Sequence, residues 1–289
     1  MPYTLMHISD LHAGPPFNPH IAELVARQAH QVRPDLLVVS GDLVQRSDFT
    51  AQWRMITGYL ATLPQPQLIV PGNHDVPLYN VFARVFRPLG RYCHFITPDL
   101  TPVFARPGLR VVGGCTAHGL TTDGGRVSSR QLAMLEQAFA QCPPETCKVA
   151  VLHHHVIAPP GSKGRRRMAN ADQVMYLLDR WGVELLLCGH IHMSYIGNTL
   201  DGMPHLRQGT IICQCGTTTS RRGKGREHGK NSFNVIEIDP CVIRIIQHLY
   251  VADIHRFVPV AEHLFPRCSS AQTCESLPSE RMLEADQPL

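Results

Sequence analysis

The sequence lacks any uncharged apolar run long enough to cross a bilayer. Its beginning also lacks the basic segment and small-residue cleavage site of a secretory signal, because Met1 leads directly into a β-like apolar stretch. A structural zinc site is disfavoured, since Cys213 and Cys215 have no second cysteine pair at zinc-site spacing. These absences predict a soluble cytoplasmic protein in which the ten cysteines are reduced and mostly buried.

What the chain does have is ample material for a hydrophobic core, with 289 residues of which 44% are hydrophobic. Strand-like and helical patterns alternate as far as Cys188, which predicts an α/β architecture with strands buried between helices. The predicted strands of this part are residues 3–9, 35–40, 67–70, 109–113, 148–152 and 184–188, and the predicted helices lie near 19–32, 47–62, 77–89, 128–141 and 170–181.

Beyond Cys188 the pattern changes to strands alone, which is typical of a second, largely antiparallel sheet. These strands are predicted at residues 193–198, 209–215, 233–238 and 242–248. We expect residues 1–265 to form a single domain. Residues 266–289 are rich in Ser, Glu, Gln and Pro with little apolar periodicity, which predicts a disordered tail.

The formal net charge of +4 is modest, but two basic runs stand out, at residues 163–167 (KGRRR) and 221–230 (RRGKGREHGK). Each run is glycine-containing and therefore indicates a loop. A solvated basic loop is the favoured interpretation of each run taken alone. The alternative is contact with a substrate, for which Arg221 and Arg222 are the candidates.

Polar motifs follow five of the predicted strands, at the point where each strand ends, and α/β sheets present functional groups at this edge. The motifs are Asp10-Leu11-His12, Gly41-Asp42, Gly72-Asn73-His74-Asp75, His153-His154-His155 and Gly189-His190-Ile191-His192. Oxygen donors and imidazoles suit first-row metal ions, and a carboxylate can bridge two of them. In extended chain, the two outer residues of Asp-x-His and of His-x-His point to the same side.

Each motif alone has a plainer interpretation, such as a turn, a cap or a surface loop in a chain with 17 histidines. The occurrence of all five at strand ends favours a metal centre. The histidines outside these motifs have no partner at ligand spacing and are interpreted as structural or surface residues.

In this order, the five motifs resemble those of the calcineurin-like metallophosphoesterase superfamily, over about two thirds of the chain. The opening HISDLH at residues 7–12 and the histidine run after an apolar strand resemble bacterial class III cyclic-nucleotide phosphodiesterases. Those enzymes commonly have His-His-Pro where this chain has His-His-His-Val, with prolines only at 159 and 160. We therefore expect the loop that borders the substrate to differ.

The resemblance implies a four-layer αββα sandwich of two mixed β-sheets flanked by helices. It also implies a pair of metal ions, of iron, manganese or zinc, in which Asp42 is the bridging ligand. The first ion would be held by Asp10, His12, Asp42 and His192, and the second by Asp42, Asn73, His153 and His190.

The chemistry expected of such a centre is hydrolysis of a small phosphodiester by a metal-bridging hydroxide, with a cyclic nucleotide as the first candidate substrate. Asn73 and His74 would bind the phosphoryl group, and His74 would donate a hydrogen bond to it or protonate the leaving oxygen. Asp75 is interpreted either as a group that orients His74 or as a helix N-cap before Pro77. One of His154 and His155 should turn into the fold behind the ligands.

Three other functions remain open on the same sequence. A DNA-repair-type nuclease would use the two basic loops along a phosphate backbone. A sugar-nucleotide pyrophosphatase would use the same metal chemistry, and a non-catalytic scaffold would keep the fold without the site. No membrane span is expected, nucleic acid is a weaker candidate partner than a small phosphodiester, and a homodimer is left open.

Overall fold

Two six-stranded sheets form the centre of the molecule in the computed structural model, which describes residues 2–120, 123–160 and 166–267. The first sheet has the strand order β12-β11-β10-β1-β2-β3, and the second has the order β4-β5-β6-β7-β9-β8. The strands are β1 (Tyr3–Ile8), β2 (Leu36–Val39), β3 (Gln67–Ile69), β4 (Val103–Arg106), β5 (Leu109–Gly113), β6 (Cys147–Val151), β7 (Leu185–Cys188), β8 (Tyr195–Asn198), β9 (Ile211–Gln214), β10 (Ser232–Ile238), β11 (Val242–Val251) and β12 (Arg256–Pro266).

Both sheets are mixed. In the first, β1, β2 and β3 run parallel, while β10 joins β1 antiparallel and continues into the antiparallel β11 and β12. In the second, β5, β6, β7 and β9 are parallel, and the edge strands β4 and β8 are antiparallel. The carboxyl ends of the parallel strands therefore meet along one edge of each sheet.

The helices are α1 (Pro19–Val32), α2 (Thr50–Leu60), α3 (Val81–Phe86), α4 (Gly90–Phe95), α5 (Ser129–Ala140) and α6 (Ala171–Arg180). The longest of them, α1, begins where the sequence supplies a cap: the Asn18 side chain accepts from the Ile21 amide, and Pro19 occupies the first turn. It ends at Arg33, which adopts a left-handed conformation with φ 51°.

Alternating side chains of the strands face two different cores. Leu5 and Val38 pack between the sheets, together with Val149 and Leu187 of the second sheet. Their neighbours on β1 and β2 face outward and pack on α1 and α2, in a cluster that includes Met6, Leu37, Val25 and Trp53. The outer face of the second sheet packs on α5 and α6 through residues such as Ala150, Leu186, Phe139 and Leu178. The predicted four-layer αββα sandwich is confirmed.

The prediction that the strands after Cys188 form a sheet of their own is wrong. Strands β8 and β9 complete the second sheet, because β9 pairs parallel with β7, whereas β10, β11 and β12 extend the first sheet beside β1. The hydrophobic periodicity of a segment predicts that it is a strand. It does not predict which other strand pairs with it, because the pairing depends on contacts distant in sequence. Three elements were not predicted: β4, α4 and β12.

The helix predicted near residues 77–89 is shorter in the structure, because α3 covers only Val81–Phe86. The cap at Arg87 is followed by Pro88, whose ring cannot continue a helix and disfavours the helical conformation of the residue before it. A second short helix, α4, begins at Gly90.

The cysteines largely follow the prediction. Free thiols are found at Cys93, Cys115, Cys142, Cys147, Cys188, Cys213 and Cys215, and five of these seven are buried. Cys241 is disulfide-bonded, which corrects the prediction of a reduced thiol at that residue.

At the carboxyl end of the described chain, Pro266 completes β12 and the buried Arg267 pairs with Glu184, with 2.9 Å between Nε and Oε2. The remaining residues of the predicted tail, 268–289, lie outside the described residues. Among the described residues, no helix has both the length and the apolar character needed to cross a membrane.

Candidate metal centre

The candidate ligands come together because they follow strands that end at the same edge of the two facing sheets. Asp10 and Asp42 follow β1 and β2, and the two loops are joined by backbone hydrogen bonds, with the Asp10 amide donating to Gly41 and the His12 amide to Asp42 at 3.0 and 2.9 Å. His153 follows β6 and His190 follows β7, on the second sheet. The site is therefore built between the sheets.

A first cluster gathers donor atoms of Asp10, His12, Asp42 and His192, all within 4.8 Å of one another and all buried. His192 Nε2 lies 3.1 Å from Asp10 Oδ1 and 3.1 Å from His12 Nε2. His12 Nε2 in turn lies 3.6 Å from Asp42 Oδ2. These are the residues that the sequence analysis assigned to the first ion.

A second cluster contains His153, His154 and His190. The Asn73 side-chain oxygen lies beside it, 3.2 Å from His153 Nε2 and 3.0 Å from His190 Nδ1. Asp42 Oδ1 is 3.4 Å from His153 Nε2. The Asp42 carboxylate thus faces both clusters with its two oxygens, which is the geometry of a bridging ligand.

His154 was not among the predicted ligands. Its Nδ1 is 2.7 Å from the Thr116 hydroxyl, which fixes the ring and leaves Nε2 as the atom available to a cation. His155 is also buried and stacks on His190, with ring centroids 5.6 Å apart. The prediction was that one of His154 and His155 turns into the fold, and in the structure both lie inside it, against the ring of His190.

Buried polar atoms without hydrogen-bond partners test whether these residues fit metal ions. Within the described residues, His154 Nε2 and His190 Nε2 have no hydrogen-bond partner. A buried polar atom without a partner is costly, and a cation would satisfy these atoms. The donor set of carboxylate, amide and imidazole suits iron, manganese or zinc. The residues present therefore fit a pair of metal ions.

The backbone is strained at five of the candidate ligands. Positive φ angles occur at Asp10, His12, Asp42, His190 and His192, with values between 50° and 78°. Such angles are uncommon outside glycine and concentrate at functional sites. They also correct the expectation of extended chain at Asp10-x-His12 and His190-x-His192. Through left-handed turns, Asp10 and His12 reach the same cluster, whereas His190 and His192 reach different ones.

Close approach to the ligands explains the glycines at positions 41 and 72. Gly41 has φ +99°, and a Cβ there would lie 2.6 Å from His153 Nδ1. A Cβ at Gly72 would lie 2.2 Å from Asp42 Oδ1. Neither position can accept a side chain without displacing a ligand.

Charges inside the site favour anionic carboxylates. Burial opposes ionisation of Asp10 and Asp42, but the neighbouring imidazoles, above all His192 for Asp10 and His153 for Asp42, outweigh it and hold both pKa values well below the usual range. Burial also disfavours a charged His153, yet the facing Asp42 carboxylate raises the His153 pKa to about 9. Burial has the largest effect on the pKa of His12 and lowers it to about 3.

His74 lies at the edge of the centre, with its amide donating to Asp42 Oδ1 at 2.9 Å. Its Nδ1 lies 2.8 Å from the Gln45 carbonyl oxygen and 3.0 Å from Arg46 Nη1, and its Nε2 lies 3.1 Å from Arg222 Nη1. Burial is the main reason that the His74 pKa is lowered. The predicted role of His74 as a donor to the phosphoryl group stays a prediction.

Asp75 has neither of the two predicted roles. Its carboxylate accepts from the amides of Leu43 and Val44 at 3.0 and 3.1 Å through Oδ1, and from the amide of Gly72 at 2.7 Å through Oδ2. It thereby ties the loop after β2 to the loop after β3. Burial, reinforced by the charge of Asp42, raises the Asp75 pKa to about 7.

A cavity of about 240 Å³ opens beside the centre. Its polar lining consists of Arg46, Asn73, His74, Arg84, Asp123 and Arg222. Asp123 Oδ1 also lies 3.7 Å from His190 Nε2. Arg46, Arg84 and Asp123 were missed by the sequence analysis, because no motif marks them and they become neighbours only through the fold.

The two basic runs behave differently. Arg222 faces the cavity, whereas Arg221 is exposed and its amide donates to the Pro16 carbonyl at 2.8 Å. In the other run, Arg167 pairs with Asp172, with 2.6 Å between Nη1 and Oδ1, and residues 163–165 lie outside the described residues.

Facing mixed sheets with two adjoining clusters of side chains that could hold metal ions are the arrangement of a metal-dependent phosphoesterase. A family model described as calcineurin-like phosphoesterase matches residues 3–194. This chain belongs to the calcineurin-like phosphoesterase family.

Among curated relatives, the chain is 31% identical over 186 residues to the 3',5'-cyclic adenosine monophosphate phosphodiesterase CpdA of Escherichia coli K12. The match covers 60% of this chain and 60% of that protein, so less than two thirds of the relative is spanned.

Among solved structures, the purple acid phosphatase PPD1 of yellow lupin matches with a TM-score of 0.69 at 12% identity, covering 98% of this chain and 57% of that one. A dimetal phosphatase from Danio rerio matches with a TM-score of 0.65 at 13% identity, covering 92% of this chain and 99% of that one. These structures support the fold.

Proposed function

We propose that this chain is a binuclear metal-dependent phosphodiesterase that hydrolyses a small phosphodiester, with a cyclic nucleotide as the first candidate substrate. One observation carries the proposal: Asp42 directs Oδ2 to His12 at 3.6 Å and Oδ1 to His153 at 3.4 Å, so one carboxylate serves both clusters. The relative from Escherichia coli, whose name specifies a cyclic nucleotide, supports the choice of substrate.

The side chains of the two clusters would hold the ions, with Asp10, His12 and His192 on one side of Asp42 and Asn73, His153 and His190 on the other. When bound, such a pair of cations supplies an activated water and polarises the phosphoryl oxygens. His154 is a further candidate ligand of the second ion.

The remaining work falls to groups that bind and orient the substrate. Arg222 and Arg46 lie 3.1 and 3.0 Å from the two nitrogens of His74 and line the cavity beside the clusters. Guanidinium groups match phosphoryl oxygens in charge and geometry. We assign them the binding of the phosphoryl oxygens that do not face the metals, with His74 and Gln45 holding Arg222 in place.

The test combines metal content with activity. Wild-type protein loaded with manganese should hydrolyse bis(p-nitrophenyl) phosphate and should release product from a cyclic nucleotide in a screen that also contains glycerophosphodiesters, nucleotide-sugar pyrophosphates and single-stranded DNA. Asp42→Asn should lose activity and bound metal together, while the exposed Asp253→Asn serves as the matched control. Full activity and full metal content in Asp42→Asn would overturn the proposal.

A further inference from the structure

An aromatic pair stands exposed at the rim of the site. Phe49 is 49% and Tyr79 is 63% exposed, and their ring centroids lie 6.2 Å apart at an interplanar angle of 63°. Together with Pro15, Pro16, Gln45, Arg46, Gln52 and Arg222 they line a shallow cavity of about 530 Å³, here called the aromatic cleft. An apolar surface with converging polar groups is typical of a ligand site.

The aromatic cleft is continuous with the metal centre. Arg46 and Arg222 line both the aromatic cleft and the 240 Å³ cavity that contains Asn73 and His74. Asn73 in turn contacts the second cluster through its side-chain oxygen. A ligand with its phosphate between the arginines would therefore extend its other end over Phe49 and Tyr79.

The pair is held in place by a carboxylate. Asp48, which precedes Phe49, accepts hydrogen bonds from the amides of Leu78, Tyr79 and Asn80 at 2.8, 3.2 and 2.9 Å. These bonds fix the segment that carries Tyr79 to the loop that carries Phe49. Both rings are therefore presented by a fixed backbone while remaining open to a ligand.

We infer that the aromatic cleft binds the base of a nucleotide, so that Phe49 and Tyr79 select nucleotides among small phosphodiesters. The inference rests on the proposed function and names its substrate class. A planar base has two apolar faces that stack on aromatic rings, and an arginine beside the ring adds a cation–π contribution. The side-chain oxygens of Gln45 and Gln52 accept from Arg222 and Arg46, and their amide N–H groups can donate to the edge of a base.

A pair of ligands that differ only by the base provides the test. Adenosine 5'-monophosphate and ribose 5-phosphate share the phosphate and the sugar, so the ratio of their dissociation constants isolates the base. Stacking on aromatic side chains predicts that the manganese-loaded full chain binds the nucleotide about 5- to 150-fold more tightly than the sugar phosphate, measured by isothermal titration calorimetry.

Phe49→Ala and Tyr79→Ala should each bring this ratio down several-fold, and the double variant should bring it to about 1 to 3. Phe82→Ala is the matched control, since Phe82 is 73% exposed on α3 and lines neither cavity. It should leave the ratio unchanged.

A wild-type ratio near one, no measurable binding of the nucleotide, or an unchanged ratio in the double variant would each overturn the inference. Hydrolysis of bis(p-nitrophenyl) phosphate is measured separately on the same preparations. If the wild type does not hydrolyse this compound, the proposed function is contradicted. The ratio of dissociation constants tests only the role of the aromatic cleft.

Discussion

The metal centre and the aromatic cleft are adjacent but differ in burial and in how their residues are positioned. All of the residues in the two clusters are buried, and their backbone is strained at five positions, whereas Phe49 and Tyr79 are about half exposed and lie on loops. The first arrangement depends on the packing of two sheets, and the second on a few side chains at the rim. We infer that the fold determines the reaction and that the loops determine the substrate.

The largest effect should follow from removing a ligand of the second cluster. His190→Ala should lower phosphodiesterase activity by about 1000-fold, because the cluster loses one of its imidazoles and its contact with Asn73. Steady-state kinetics and the metal content by mass spectrometry would show it. The control is the exposed His205→Ala, which should retain full activity and full metal content. Equal losses in the two variants would contradict the assignment of His190 to the metal centre.

A methyl group at Gly41 should destabilise the fold. Gly41→Ala combines a positive φ with an overlap onto His153, so we expect a loss of about 3 kcal/mol in the free energy of unfolding. Gly108→Ala has the positive φ alone, at +77°, because no atom lies within 4 Å of its Cβ position, so the difference between the two variants isolates the overlap. Denaturant unfolding that gives the same loss for both variants would show that the overlap is relieved at little cost.

At the boundary between the two regions, Arg222→Gln should reduce kcat/KM by about 30-fold, since a charge-assisted contact to the phosphoryl group is lost. Arg221→Gln is the neighbouring control, and its exposed guanidinium predicts little change. If Arg221→Gln lowers kcat/KM more than Arg222→Gln does, the assignment of Arg222 to the substrate is wrong.

Per pH unit, the smallest effect is that of pH on metal affinity. A metal ion binds neutral imidazole, and the facing Asp42 helps to raise the His153 pKa to about 9 against the opposing effect of burial. Below that pH a proton must be released when the ion binds, so metal affinity should fall by up to about tenfold for each unit of decreasing pH between 9 and 6. Competition titrations with a chelator measure this slope, and a constant affinity over the range would contradict it.

The buried centre was largely predictable from the sequence. Asp10, Asp42 and His190 each follow a short apolar strand, and the carboxyl ends of such strands must meet when the sheet forms. In the structure Asp10 and Asp42 lie in the first cluster and His190 in the adjoining second cluster. The exception is His154, whose position depends on Thr116, a residue on a distant loop.

The rim could not be predicted in this way. Arg222 was a candidate because of its basic run, but no motif marks Arg46, Phe49 or Tyr79. The three amide contacts of Asp48, which join the segment of Tyr79 to the loop of Phe49, link residues about 30 positions apart in sequence. The pairing of the last strands was unpredictable for the same reason. A local pattern determines an element, but contacts distant in sequence determine where that element lies.

Crystals of the manganese-loaded protein, with anomalous diffraction measured at the manganese edge, give the most direct test of the central claim. Two peaks about 3.5 to 4 Å apart, one on each side of Asp42, are the result expected for a binuclear centre. A single peak, or two peaks that do not share the Asp42 carboxylate, would contradict the account.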